Sequence, residues 1–433
     1  MSQYRAYPAY KDSGIEWIGQ VPEHWKVARV KRLASLRNER RNDVSTDTIY
    51  IGLEDVEAGS GQYKPTNGSS RQSEDSTVGI FSEGDVLYGK LRPYLRKAII
   101  SEMAGCCSTE FLVLRAEKTE PRWLQEWLLT PDVTHQIELG CEGAKMPRAD
   151  WEHIGSIEVV YPDQPEQAQI LTTLDRETAR IDALVEKKTR FIELLKEKRQ
   201  ALITHAVTKG LDPNVKMKDS GVEWIGQVPE HWKIAQIKRI SALNPRKSTL
   251  SEEKDSLCTF LPMEKLRNNA VTLDETRPIH EVYGGYSYFC DGDILIAKVT
   301  PCFENGNIAV ANGLVNGIGF GSTEINVLRV NGKGHNRFLY YRLQEEQFRT
   351  IAKSEMRGTG GLKRVPTDLF ESFTIGLPDT DEQATIAATL DSETARIDAL
   401  IGKAEQSITL LKERRSAFIT AAVTGQIDLR GRQ

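Results

Sequence analysis

The chain repeats itself, and this duplication constrains its architecture more than any other feature of the sequence. Residues 11–32, KDSGIEWIGQVPEHWKVARVKR, return at 218–239 as KDSGVEWIGQVPEHWKIAQIKR. The copies differ at four of 22 positions: three Val/Ile exchanges, and Arg29 against Gln236. Further along, EQAQILTTLDRETARIDALVEKKTRFIELLKEKRQALITHAVT (166–208) matches EQATIAATLDSETARIDALIGKAEQSITLLKERRSAFITAAVT (382–424). Segments 33–160 and 240–377 between them have drifted apart and share only a skeleton. Phe81, Gly84, Asp85, Leu87, Lys90 and Pro93 match Phe289, Gly292, Asp293, Leu295, Lys298 and Pro301, and Ser-Thr-Glu at 108–110 matches 322–324. A period of about 210 residues is far too long for a solenoid unit. The pattern is a duplicated domain pair, one frame holding two different inserts.

The 166–208 segment and its copy predict two long helices. One seam runs through Leu171, Thr178, Val185, Ile192, Arg199 and Ala206, the other through Leu174, Ile181, Lys188, Leu195 and Leu202. The copy supplies Ala387, Thr394, Ile401, Ile408, Arg415 and Ala422, with Leu390, Ile397, Ala404, Leu411 and Phe418. This three-four spacing holds over about five heptads. Gly210 before Pro213, and Gly425, are the stop signals. Each helix should reach about 65 Å at ~1.5 Å per residue. An apolar stripe of that length needs cover. The two copies are therefore expected to pair antiparallel about a pseudo-twofold axis, with the variable segments at opposite ends of a rod. The alternative is that each helix docks on its own domain or on a partner subunit. A two-headed rod suits a ligand with a local dyad and two separated sites, as duplex DNA has.

Composition narrows the class without naming it. The net charge of −4 over 433 residues does not advertise phosphate binding, so any nucleic-acid reading rests on local patches. No apolar run approaches the ~20 residues of a membrane span, and the N-terminus lacks the order of a signal peptide. A cytoplasmic protein without membrane association is expected. Cys106 and Cys107 are adjacent and Cys141, Cys258, Cys290 and Cys302 are scattered, without the spacing of a zinc site or a disulfide framework.

At this point the chain resembles the specificity subunits of type I restriction-modification systems. The resemblance rests on VPEHWKVARVKRLA (21–34) and its copy, and on GDVLYGKLRPYLRKA (84–98) with GDILIAKVTP (292–301). It rests also on the runs into each helix, GAKMPRADWEHIGSIEVVYPDQPEQ (143–167) and GTGGLKRVPTDLFESFTIGLPDTDEQ (358–383). The Pro-Pro pair usual before that helix is a single Pro162 and Pro378 here. The resemblance implies an α+β fold: two mixed α/β target-recognition domains joined by two long helices in an antiparallel coiled coil, related by a pseudo-twofold internal repeat. The corresponding division is 1–162 (first recognition domain), 163–210 (central helix), 211–377 (second recognition domain) and 378–433 (C-terminal helix). It implies reading of a bipartite, asymmetric double-stranded DNA target, and scaffolding of two modification (methyltransferase) subunits and of restriction/translocase subunits. S-adenosylmethionine, ATP and magnesium are expected in those partners, and no cofactor, metal or catalytic residue in this chain. The rival readings are a scaffold that does not bind DNA, whose variable domains bind proteins, and an independent nuclease.

The residues offer little chemistry of their own. Gly89-Lys90, Gly332-Lys333 and Gly402-Lys403 lack the loop and hydroxyl of a P-loop. The tetrad with which amino-methyltransferases hold a flipped base is missing. Gly317 to Gly321 has the wrong spacing for a dinucleotide loop. Pro162-Asp163 followed by Glu186-Lys187-Lys188 mimics a nuclease motif, but the copy loses Glu186 to Gly402 and Lys188 to Ala404. The repeated Glu-His-Trp triplets at His24 and His231 read as an anchor between each domain and the helix pair, with Trp supplying buried area and one polar handle.

Candidate DNA contacts are basic clusters near glycines, because phosphate clamps need Lys and Arg and glycine lets the backbone approach closely. In the first half they are Lys90, Arg92, Tyr94, Arg96 and Lys97, then Lys145 and Arg148. In the second they are Lys298 with Thr300, and Arg357, Lys363 and Arg364 around the 358–361 loop. The alternative for each cluster is a solvated charged loop. Lys90 and Lys298 occur in both halves, which suggests phosphate contact more than base reading.

Overall fold

The computed structural model describes residues 5–45, 47–65, 77–143, 145–247, 250, 253, 255–359 and 362–430. They form two compact units: residues 1–189 with 405–433, and residues 190–404. Each unit contains one head and a stretch of each long helix.

In the first unit, strands β1 (Ala34–Leu36), β2 (Arg40–Arg41), β3 (Tyr50–Ile51), β4 (Val78–Phe81), β5 (Val86–Gly89), β6 (Ala98–Ile100), β7 (Gly105–Cys107) and β8 (Phe111–Ala116) precede helix α1 (Gln164–Lys209). They make two four-stranded sheets, ordered β1-β8-β5-β6 and β2-β4-β7-β3. In the second unit the strands are β9 (Ser241–Leu243), β10 (Leu257–Leu261), β11 (Thr276–Pro278), β12 (Ser287–Cys290), β13 (Ile294–Ala297), β14 (Ile308–Val310), β15 (Ile318–Gly321) and β16 (Ile325–Val330), before helix α2 (Thr380–Val423). Their sheets are ordered β9-β16-β13-β14 and β11-β10-β15-β12. The first sheet has one topology in both heads. The second shares a three-strand core, in which β7 and β15 pair parallel to β3 and β10 and antiparallel to β4 and β12. The extra edge strand differs: β2 joins β4 in the first head, β11 joins β10 in the second.

The skeleton shared by the two inserts has a physical reason at most positions. Phe81 lies opposite Gly105, and Phe289 opposite Gly319. A Cβ on Gly319 would sit 2.2 Å from the Phe289 ring, so only glycine lets that ring lie flat on the strand. This is why Gly317 to Gly321 looks glycine-rich: its core is a buried strand. Leu87 and Leu295 are fully buried, filling equivalent core positions. Asp85 accepts from the Ser82 amide and pairs with Arg37 and Arg115; Asp293 accepts from the Cys290 amide and from Arg329 at 2.9 and 2.7 Å. Each aspartate thus closes the turn before a core strand and neutralises its own burial with arginine.

The near-identical 11–32 and 218–239 segments grip the helices. In each, a short hairpin (Tyr10–Asp12 with Gln20–Pro22; Met217–Asp219 with Gln227–Pro229) leads to a strand that pairs with the one entering the long helix, Lys26–Arg29 with Glu158–Tyr161 and Lys233–Gln236 with Thr374–Leu377. Trp25 and Trp232 are fully buried. Trp25 Nε1 donates to Glu166 at 3.2 Å and His24 Nε2 lies 2.7 Å from the same carboxylate; Trp232 and His231 treat Glu382 alike at 3.1 and 2.7 Å. Glu166 and Glu382 stand in the first turns of α1 and α2. The opposite helix ends there too. A Cβ on Gly425, just past α2, would meet Pro22 at 2.4 Å and Trp25 at 3.2 Å, and Gly210, just past α1, lies beside Trp232. Both glycines have positive φ, the left-handed stop that follows many helices.

Within each unit the start of one helix therefore meets the end of the other. In the first, Ile170, Leu171 and Leu174 share a core with Phe418, Ile419, Ala422 and Val423. In the second, Ile203, Ala206 and Val207 share one with Ile386 and Leu390, and Leu202 packs against it. Arg415 reaches Asp182 at 3.0 Å in the first unit and Arg199 reaches Asp398 at 3.1 Å in the second, the same contact with the helices exchanged. Ile181, Ile192, Leu195 and Ile397 are buried, and Val185, Ile401, Ile408 and Leu411 half-buried. No helix among the described residues is long and apolar enough to cross a membrane.

Candidate nucleic-acid interface

The two regions read as basic clusters in each half are brought together by a ring of backbone hydrogen bonds. In the first head, the Lys90 amide donates to Glu110 (2.9 Å), the Ala149 amide to Lys90 (2.9 Å), and the Arg92 amide to Pro147 (2.8 Å), while Glu142 and Arg148 exchange amides and carbonyls. In the second, the Lys298 amide donates to Glu324 (3.0 Å), Val365 to Lys298 (2.9 Å), and Thr300 to Lys363 (2.9 Å), while Arg357 and Arg364 exchange bonds at 2.9 and 2.8 Å. Arg148 thus corresponds to Arg364, Glu110 to Glu324, and Arg92 to Thr300.

On this ring each arginine meets a glutamate. Arg148 donates from Nε and Nη2 to Glu110, both at 3.2 Å; Arg364 donates from the same atoms to Glu324 at 2.9 and 2.8 Å. The arginines are 50% and 48% exposed and the glutamates 27% and 28%, so the pairs match in depth as well as in geometry. The bidentate bond holds both guanidinium groups further toward the charged form, and the Glu324 carboxyl below its ordinary range, first through the Arg364 hydrogen bond and in part through Lys298. Glu110 and Glu324 orient themselves through a serine two residues earlier, whose hydroxyl accepts the glutamate amide at 3.2 Å in both heads. The repeated Ser-Thr-Glu marks this role in the sequence, which basic residues alone do not reveal.

Tight backbone geometry supports the loops. Gly143 and Gly358 have φ of 94° and 137°, and a Cβ on Gly358 would fall 2.5 Å from the Leu362 carbonyl oxygen. Gly360 and Gly361 lie outside the described residues. Arg92, Tyr94, Lys145, Arg357 and Lys363 are exposed, and Lys90, Lys298 and Thr300 half-buried. Arg96 and Lys97 are engaged elsewhere. Lys97 Nζ donates to the Leu53 carbonyl at 2.6 Å, and Arg96 donates to the Leu129 carbonyl and lines a cleft of about 690 Å³ with Glu126, Asp182 and Lys412.

The nuclease-like pattern dissolves in this geometry. Asp163 Oδ1 accepts the Glu166 amide at 3.0 Å, and Asp379 accepts the Glu382 amide at 2.8 Å, so both aspartates are helix caps. Among the described residues no group of three or more His, Cys, Asp or Glu side chains is placed to hold a metal ion.

Comparison with known proteins fits this arrangement. Residues 229–410 match the model of the type I restriction modification DNA specificity domain. The chain is 31% identical over 199 residues to the type I restriction enzyme EcoEI specificity subunit of Escherichia coli, covering 46% of this chain and 33% of that one. It is 33% identical over 186 residues to the EcoAI specificity subunit of the same organism, covering 43% and 31%. The chain is similar to type I restriction modification specificity subunits over these stretches. It spans about a third of the length of these two relatives. The fold of the whole chain resembles that of a solved chain from work on complex assembly and conformational transition of the type I R-M system, which superposes with a TM-score of 0.71 at 18% identity, covering 95% of this chain and 99% of that one.

Proposed function

We propose that this chain is the DNA-reading subunit of a type I restriction-modification complex. Its two heads, within residues 1–162 and 211–377, each take one half of a gapped, asymmetric duplex target. The observation that carries the reading is the paired ring of the two heads, which presents Lys90 with Arg148 and Lys298 with Arg364 on equivalent glycine-supported loops. The differing edge strands β2 and β11 support unequal half-sites. The exchanged Arg–Asp contacts between α1 and α2 support an antiparallel coiled coil with pseudo-twofold symmetry that sets the spacing of the two half-sites.

In this reading the chain scaffolds two methyltransferase subunits and the restriction/translocase subunits, in the cytoplasm. S-adenosylmethionine, ATP and magnesium act in those partners, and the chain contributes recognition without catalysis. The test is methylome sequencing of the host with and without the gene. Loss of adenine methylation at one gapped, asymmetric motif is the expected result; an unchanged methylome together with salt-independent or absent DNA binding refutes it in favour of a protein-binding scaffold. Lengthening both helices by one heptad is expected to change the tolerated gap and neither half-site.

A further inference from the structure

We propose that Lys90, Glu110 and Arg148, and likewise Lys298, Glu324 and Arg364, form one phosphate clamp built twice. In it Arg and Lys touch the DNA backbone without reading sequence, and the glutamates are positioning residues. The inference rests on the DNA-reading function proposed above and assigns roles within it.

Three observations lead there. The first is conservation of geometry against divergence of surroundings. The two inserts have drifted apart and even place an edge strand on opposite sides, yet the same backbone bonds and the same Nε/Nη2 pairing recur in each. A group that reads bases has to differ between heads that read different half-sites. A group that holds phosphate does not, since phosphate contacts carry no sequence information.

The second is what the pairing leaves unused. The glutamate takes the Nε–H and one Nη2–H, so three of the five guanidinium donors, including both on Nη1, face away from it. Among the described residues no other hydrogen bond engages either guanidinium, and both side chains are half-exposed. A guanidinium fixed along one edge presents the other as a rigid fork, which suits an oxyanion.

The third is charge. The glutamate cancels its arginine, so the lysine leaves each trio with one net positive charge. A bare pair of cations would hold anions loosely in many poses. The glutamate gives up attraction to gain a fixed direction, and this predicts a sign that electrostatics alone does not.

The experiment uses the full-length chain with two probes, an arbitrary duplex of about 40 base pairs and a randomised duplex pool sequenced after selection. Arg148→Ala with Arg364→Ala is expected to flatten the slope of log affinity against log salt by about 1.8, at ~0.9 per phosphate contact. The fall in affinity between ~50 and ~200 mM salt then shrinks by about 12-fold, while the selected sequence stays the same. Lys90→Ala with Lys298→Ala, which leaves both Arg–Glu pairs intact, flattens the slope similarly. Glu110→Ala with Glu324→Ala is expected to weaken binding although it removes two negative charges, and the glutamine pair, which keeps an acceptor oxygen, to recover part of the loss.

Tighter binding by the glutamate-to-alanine pair overturns the positioning role. A change in selected bases in the arginine variants overturns the clamp and makes these groups base readers, leaving the DNA-reading function intact. A wild-type chain that selects no sequence and binds the arbitrary duplex without salt dependence overturns both.

Discussion

Glu166 and Glu382 hold the same position in the two halves, yet they lie at different depths, and the difference predicts unequal consequences of one substitution. The Glu166 side chain is 9% exposed and receives the Tyr7 hydroxyl at 3.0 Å, the Trp25 indole at 3.2 Å and the His24 ring at 2.7 Å, with Arg430 at 3.8 Å. The Glu382 side chain is 28% exposed and, among the described residues, receives only the Trp232 indole and the His231 ring. Burial and the carboxylate together push the Tyr7 phenol far above its ordinary range, which keeps it a donor. Each histidine is about half-exposed and turns to water when its partner is lost. Each buried donor left without an acceptor costs about 1–3 kcal/mol. Glu166→Ala strands two, Tyr7 and Trp25, for about 4 kcal/mol; Glu382→Ala strands Trp232 alone, for about 2 kcal/mol. At ~3 °C per kcal/mol for a unit of this size, the unfolding midpoints fall by about 12 °C and 6 °C. Scanning calorimetry of the full chain measures the midpoints, and hydrogen exchange resolved by peptide shows which unit opens. Equal losses, or a larger loss for Glu382→Ala, would refute the counting of stranded donors.

Other perturbations test other parts of the structure. Gly358→Ala places a Cβ against the Leu362 carbonyl in a backbone region open to glycine, and is expected to cost about 1–3 kcal/mol and weaken DNA binding through the second head; Gly284→Ala, which meets nothing within 4 Å, should stay within about 0.5 kcal/mol in the same melts. Asp293→Ala removes a buried carboxylate that holds Arg329 and the Cys290 amide, and a loss of about 2–4 kcal/mol in urea unfolding is expected. Burial pushes the Cys107 thiol up to about 12, so only about one molecule in ~10⁴ is thiolate at pH 8. Native protein treated with a thiol-specific disulfide reagent should therefore keep Cys107 unmodified while half-buried Cys302 reacts, and modification of Cys107 at the same rate would contradict its burial.

The residues that the fold gathers into one ring in each head were partly marked in the sequence. Repetition pointed to Lys90 and Lys298, and glycine-adjacent basic residues pointed to Arg148 and Arg364. What could not be read was that residues far apart in the chain, such as Glu110 and Arg148, become partners, because a bidentate ion pair leaves no periodic trace. Arg96 and Lys97 show the converse. Adjacent to the cluster in sequence, they are drawn to the Leu129 and Leu53 carbonyls, because the chain turns twice through left-handed conformations at Arg92 and Arg96.

By itself the sequence determined the duplication, the two helices with their apolar seams, and the existence of a skeleton shared by the two inserts. These properties follow from local spacing, and heptads, caps and stop glycines act within a few residues of one another. Tertiary structure alone decided which groups share a carboxylate at Glu166 and Glu382, where the extra edge strands β2 and β11 attach, and which cations stay available to a ligand. Those outcomes depend on desolvation and on contacts closed over tens of residues or more, where a carboxylate goes to whichever donors the fold brings within reach.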